Sequence, residues 1–168
     1  MDFTFLLPPA AIANQIVLAG VLGGIIGIER LIGDHPAGIR TCVLISVSSC
    51  LFTIISRSAF NEAETARIAS EIVVGVGFIG GGCLIRAHNH VHGLTTAATI
   101  WGVAAIGMTV GVGMYGTAIF TCLFTLAVLL ILAPVSKWLE EAYGTKPDMS
   151  ETEDCDVPKN GSRAKHRE

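Results

Sequence analysis

The sequence predicts an all-α fold: a polytopic membrane bundle of about five transmembrane helices, N-terminus outside and C-terminus in the cytoplasm. Three observations lead there. Hydrophobic residues make up 51% of the 168 and charged residues 15%, against about 25% charge in an ordinary soluble domain. From Gly93 to Ser136, 44 consecutive residues carry no Asp, Glu, Lys or Arg. As helix that run would be roughly 66 Å long, and a bilayer core is about 30 Å thick, so it fits two crossings. Finally, the basic residues segregate to one side once the spans are drawn.

The first span is expected over about Ile12 to Ile28, ending at Glu29-Arg30. Gly20, Gly23, Gly24 and Gly27 recur three and four apart in it, a small-residue stripe that lets a second helix backbone come close in lipid. The N-terminus lacks the basic start of a secretory signal, so this run reads as a retained span. A turn at Asp34-His35-Pro36-Ala37-Gly38 leads into span two, about Ile39 to Ile55, where Ser46, Ser48 and Ser49 can bond along or across helices. Span three is expected over about Ile68 to Ile85, interrupted near its start by Ser70 and Glu71. Its inner half, Gly75 to Gly82, holds five glycines, which favours a tightly packed or locally broken helix. Span four runs from near Gly93 to about Val110 and turns through Gly111–Gly116. Span five covers about Thr117 to Val135, with Pro134 near its end and Lys137-Trp138 as an interfacial anchor. Two regions result: a transmembrane domain over 1–143, and a polar tail over 144–168 whose composition predicts disorder.

Orientation follows from the basic residues. With the N-terminus outside, nine of the 11 (Arg30, Arg40, Arg86, Lys137, Lys146, Lys159, Arg163, Lys165 and Arg167) face the cytoplasm, and only Arg57 and Arg67 face out. The net charge of −3 says little beside that distribution. Five cysteines (Cys42, Cys50, Cys83, Cys122, Cys155) have neither metal-like nor disulfide-framework spacing, and four lie in apolar runs where a thiol acts as a small hydrophobe.

The unusual polar residues collect at the cytoplasmic face. Glu29, Arg30, Asp34, His35 and Arg40 fall in the connection of spans one and two. Glu29 lies at the end of the glycine stripe, so pairing with Arg40 or Arg30 would offset its desolvation; a solvated boundary charge is the plainer reading. Thr95 and Thr99 share a face of span four, and their hydroxyls can bond back to their own helix or donate to Glu29. Helix capping by Thr95 or Thr96 is the alternative. His88, His90 and His92 alternate as a metal-binding triplet would in an extended loop, but no Cys or carboxylate stands beside them to close a coordination shell, and magnesium prefers oxygen. The sequence therefore points to no metal site and no cofactor. Glu71 is the one acid inside an apolar run. It can pair with Arg67 one turn earlier, or join Asn61, Glu62 and Glu64 in a cation-attracting patch. There is no nucleophile–base set, phosphate-binding loop or aromatic-basic surface, which argues against an enzyme and against nucleic acid as a partner.

Three ordered blocks carry a resemblance. Gly27-Ile28-Glu29-Arg30 with His35-Pro36-Ala37-Gly38-Ile39-Arg40-Thr41, then Arg67 through Gly82, then Gly93-Leu94-Thr95-Thr96-Ala97-Ala98-Thr99-Ile100-Trp101 together resemble the MgtC/SapB family. They cover most of residues 20 to 115. The resemblance implies a bacterial inner-membrane protein of about five spans. Family members are associated with growth at low magnesium, with survival of pathogens inside macrophages (virulence), and with regulation of membrane energetics, including the proton-driven ATP synthase. The sequence departs from the family where Glu71 replaces a common Gln, where Thr95 replaces the Asn and Gly102 the Cys of some virulence-associated members, and in a tail too short for the cytoplasmic domain of longer members.

The expected function is thus a non-enzymatic membrane regulator for magnesium-limited growth. Its partners would be the lipid bilayer, other membrane proteins with the ATP synthase among them, and a second copy of itself. Its working surface would comprise Glu29, Arg30, Asp34, Arg40, Thr95, Thr96 and Thr99, with Glu71 as an intramembrane acid. The alternatives are a magnesium or other cation transporter or accessory subunit, and a structural assembly factor sensitive only to bulk at Gly23 or Gly27.

Overall fold

The computed structural model describes residues 10–59, 62–87 and 90–143. In chain order these form α1 (Ala10–Ile32), α2 (Ile39–Ala59), α3 (Glu62–Gly82), β1 (Ile85–Ala87), β2 (His90–His92), α4 (Leu94–Val112) and α5 (Tyr115–Tyr143). The five helices are those expected. Four of them (α1, α2, α4 and α5) are long and apolar enough to cross a membrane. The exception, α3, carries Glu62, Glu64, Arg67 and Glu71 in its first half. It lies along α4 all the same, with Gly80 against Ala97 and Ile72 and Val76 clustered with Ile100 and Ala104.

Several boundaries differ from expectation: α2 runs on to Ala59, α3 covers Glu62–Gly82 instead of about Ile68 to Ile85, and α5 continues to Tyr143. α1 does not stop at Ile28 but continues to Ile32, and α2 starts at Ile39, so Glu29, Arg30 and Arg40 are helix residues rather than loop residues. The chain expected as a loop after α3 is a two-stranded antiparallel hairpin, with Ile85 opposite His92 and Arg86 opposite Val91. Its connecting residues His88 and Asn89, and the expected disordered tail 144–168, lie outside the described residues.

Glycines set the helix contacts. A Cβ on Gly27 would lie 2.5 Å from the Ile39 Cα, and one on Gly23 2.8 Å from the Cys42 carbonyl oxygen, so α1 and α2 meet backbone to backbone. Gly20 and Gly24 of the same stripe meet only valine side chains, at 3.4 and 3.5 Å. On its other side α2 is met by α4: a Cβ on Gly107 would collide with the Ser46 carbonyl, and one on Gly111 would lie 2.7 Å from that of Cys50. Such close approach gives dispersion and interhelical hydrogen bonds, the forces that hold helices together where lipid removes the hydrophobic drive. The Ser46 hydroxyl donates across to the Ala19 carbonyl at 2.7 Å.

The core between these helices comprises Ala19, Leu22 and Ile26 of α1, Cys42, Cys50 and Ile54 of α2, and Val103, Ile106 and Val110 of α4, closed by Ala118 and Cys122 of α5. The Cys122 thiol donates to the Leu22 carbonyl at 3.5 Å. The buried cysteines thus pack as small apolar groups, as their sequence context implies. Large apolar side chains cover the outside, including Phe78 at 85% exposure and Phe120 at 69%. Water would penalise that surface; hydrocarbon does not. The chain is a multi-pass membrane protein.

Two helix junctions need glycine. Gly93 precedes α4 at φ 92°, and Gly113 follows it at φ 91°. Behind Gly113 the Gly113 N–H donates to Val110 and the Met114 N–H to Thr109, a Schellman closure that lets α5 start two residues later. The packed unit runs to Leu130. A second unit begins at Ile131, and its described part is the rest of α5, where Pro134 cannot supply the N–H for a bond to Leu130.

Candidate functional site

The contacts of Gly23 and Gly27 of α1, and of Gly107 and Gly111 of α4, with α2 bring the end of α1 and the starts of α2 and α4 to one end of the bundle. The turn after α1 folds back on it: Gly33 N–H donates to Glu29, Asp34 N–H to Leu31 and His35 N–H to Arg30, at 3.0 to 3.2 Å. Asp34 takes the left-handed conformation, φ 55°, that this reversal requires. Together with the close approach at Gly27, the reversal covers Arg30, which is only 2% exposed.

Arg30 Nη1 lies 3.8 Å from Glu29 Oε2, whose side chain is 15% exposed. Arg30 Nε and Nη2, and Glu29 Oε2 itself, are buried without a hydrogen-bond partner among the described residues. Burying an ion pair costs several kcal/mol per ion, roughly, and is repaid only when geometry and hydrogen bonding are good. Here the contact is long and three polar atoms are left over. The pair is a poor stabiliser, and Nε with Nη2 is the guanidinium edge that grips a carboxylate or phosphate in two parallel bonds.

The other expected site residues divide. Asp34 is exposed on the turn, and Thr95 is exposed while Thr96 and Thr99 are buried at the start of α4, at the same end as Arg30. The pairing of Glu29 with Arg40 is not formed. Arg40 is exposed on the first turn of α2, because the side of that turn facing α1 presents Ile39 and Cys42. Nor does Thr99 donate to Glu29: its hydroxyl bonds back to the Thr95 carbonyl at 2.8 Å. Threonine capping is absent too, since the N-cap of α4 is Gly93 with no side-chain bond.

Glu71 belongs to a different part of the molecule. It is exposed and lines a groove of about 550 Å³ between α2 and α3, with Ser48 and Ser49 among its few polar neighbours. It forms no ion pair with Arg67 among the described residues. Asn61 and the side chains of Glu62 and Glu64, expected beside it as an acidic patch, lie outside the described residues, as do His88 and the His90 side chain. Among the described residues there is no group of three His, Cys, Asp or Glu that could hold a metal ion.

At the far end of the bundle are two residues that sequence reasoning passed over. Arg57 Nη1 donates to the carbonyls of Val112 at 2.6 Å and Gly111 at 3.2 Å, and Gln15 Nε2 to Val110 at 3.2 Å. A cation on the C-terminal carbonyls of α4 also complements its macrodipole. Arg57 sits in the last turn of its own helix, a position that hints at an anchor but not at which helix end it caps.

The profile described as the MgtC family matches residues 16–138. Among curated proteins, "Putative magnesium transporter YhiD" of Escherichia coli K12 is 43% identical over 123 residues, covering 68% of this chain and 57% of its own. "Protein SapB" of Bacillus subtilis is 37% identical over 152 residues, 85% of this chain and 63% of its own. "Protein MgtC" of Brucella abortus strain 2308 is 37% identical over 133 residues, 79% of this chain and 56% of its own. Each match thus spans less than two thirds of the relative. No solved structure matches.

Proposed function

The chain belongs to the MgtC family, and on that premise we propose that it is a non-enzymatic regulator in the bacterial inner membrane that supports growth at low magnesium. It acts by binding other membrane proteins, the ATP synthase among them, through the bundle end that holds Glu29 and Arg30. One observation carries this reading: a nearly fully buried arginine with two nitrogens that have no partner among the described residues, beside a carboxylate oxygen in the same state. Charges retained in a membrane bundle at a loss of stability mark working sites more often than scaffolding. Arg40, Asp34 and Thr95, exposed around that pair, supply the polar rim a partner would meet.

The asymmetry of basic residues supports a cytoplasmic location for this end. A labelling map that found the Asp34 turn in the periplasm would reverse that placement. The functional test is complementation at low magnesium in a bacterium lacking its own MgtC-type gene. Glu29→Gln is expected to abolish growth, and Arg40→Ala to weaken it, with membrane abundance unchanged. Wild-type growth by both variants would remove this surface from consideration.

A second reading, cation transport, is favoured by the name of the Escherichia coli relative and by an acid in an apolar groove. Magnesium flux into liposomes above that of empty vesicles, abolished by Glu71→Gln, would put it first.

A further inference from the structure

The groove between α2 and α3 is separate from the Glu29–Arg30 site, and its acid is the one the transport reading invokes. It extends along α3 from Ile68 to Ile79, eleven residue steps or roughly 16 Å of helix. Its polarity is graded. Glu71, Ser48 and Ser49 lie in one half, about one turn inside Ile68 and Phe52, and beyond Gly75 the walls are apolar, down to Ile79 and Leu44. The polar half is the one near the C-terminus of α4, because Val73, two residues past Glu71, lines a neighbouring cavity with Thr109 and Val112.

From this layout we infer that the groove holds one phospholipid with a primary-ammonium headgroup, its ammonium on Glu71 and one acyl chain along the apolar half. Charge selects the headgroup. An acid in an apolar wall of a membrane protein needs a cation, and the chain supplies none within ion-pair distance among the described residues. Size admits one acyl chain. The groove offers about 550 Å³. That cavity volume is in the usual range for small-molecule sites, about 300 to 1,000 Å³. Arg67, one turn before Glu71 and exposed, is within reach of the headgroup phosphate.

The test is native mass spectrometry of the full chain, released from micelles containing equal amounts of phosphatidylethanolamine and phosphatidylglycerol. Wild type is expected to keep the ethanolamine lipid about tenfold over the glycerol lipid, as one partly desolvated charge contact would give. Glu71→Gln should bring that ratio close to one. Gly75→Leu should expel both lipids without unfolding the chain, because a Cβ at Gly75 meets nothing within 4 Å and the longer side chain fills the groove. A thermal melt of each variant confirms that the bundle is intact. Equal retention of the two lipids by wild type, or an unchanged ratio in Glu71→Gln, would overturn the inference. So would a photocrosslinker at Ser48 that captures a protein, or a second copy of the chain, in place of lipid.

Discussion

The two ends of the α1–α2–α4 bundle treat an arginine in opposite ways. At one end Arg57 is exposed and its guanidinium closes the carbonyls of Gly111 and Val112, with Gln15 serving Val110 beside it. At the other end Arg30 is buried, and among the described residues its only ion pair is the 3.8 Å contact with Glu29 and two of its nitrogens have no partner. Both ends are held by the same device, glycines that bring α2 against its neighbours. The difference is therefore not one of packing quality. One arginine is a capping group that stabilises the helix it reaches, while the other is a charge kept at a loss, which is the signature expected of a site that acts on something else.

The comparison can be broken most severely through the shared device. Gly27→Leu at the Arg30 end and Gly107→Leu in the middle would drive a side chain into backbone. Each should destabilise the bundle by at least about 1–3 kcal/mol, read as loss of the folded protein from the membrane. Gly77→Leu, where a Cβ meets nothing within 4 Å, should leave the melting temperature in detergent unchanged. Next in size is Arg57→Met, which removes a cationic cap and should lower stability by about 1–2 kcal/mol without affecting low-magnesium growth. Gln15→Leu deletes one neutral hydrogen bond at that end, a loss of about 1 kcal/mol in the same melt. Smallest is Thr95→Ala. The Thr95 carbonyl, not its hydroxyl, receives the bond from Thr99, so stability should shift by less than about 0.5 kcal/mol, and any growth defect would then report partner contact.

Much of the architecture was legible because it depends on local composition. A charge-free run of 44 residues has few alternatives to crossing a bilayer twice. The glycines of α1 announced a close helix contact, but which two of the four touch backbone depended on the angle at which α2 arrives, and only Gly23 and Gly27 do. The expected end of α1 at Ile28 was placed too early because charges ordinarily mark the edge of an apolar span, whereas here the helix carries Glu29 and Arg30 under the following turn. The hairpin of β1 and β2 escaped notice because its two linking residues, His88-Asn89, lack the glycine that marks tight hairpins. The cap made by Arg57 joins residues 55 apart in sequence, and no local pattern encodes that. The candidate site was legible as a cluster, with Glu29, Arg30, Thr96 and Thr99 at one end, but its pairings were not. Arg40 sits on the outer side of its helix turn, and the Thr99 hydroxyl is taken by its own backbone.

The central claim is that Arg30 is retained for what it does and not for the stability it gives. Glu29→Gln combined with Arg30→Met removes both charges at nearly constant bulk, so one double variant measured in two ways separates these roles. Thermal melting in detergent should match or exceed that of wild type, since replacing both partners of a poorly made buried ion pair with uncharged side chains is often neutral or stabilising, while growth at low magnesium is lost at normal membrane abundance. A melting temperature several degrees lower, with growth intact, would contradict the account.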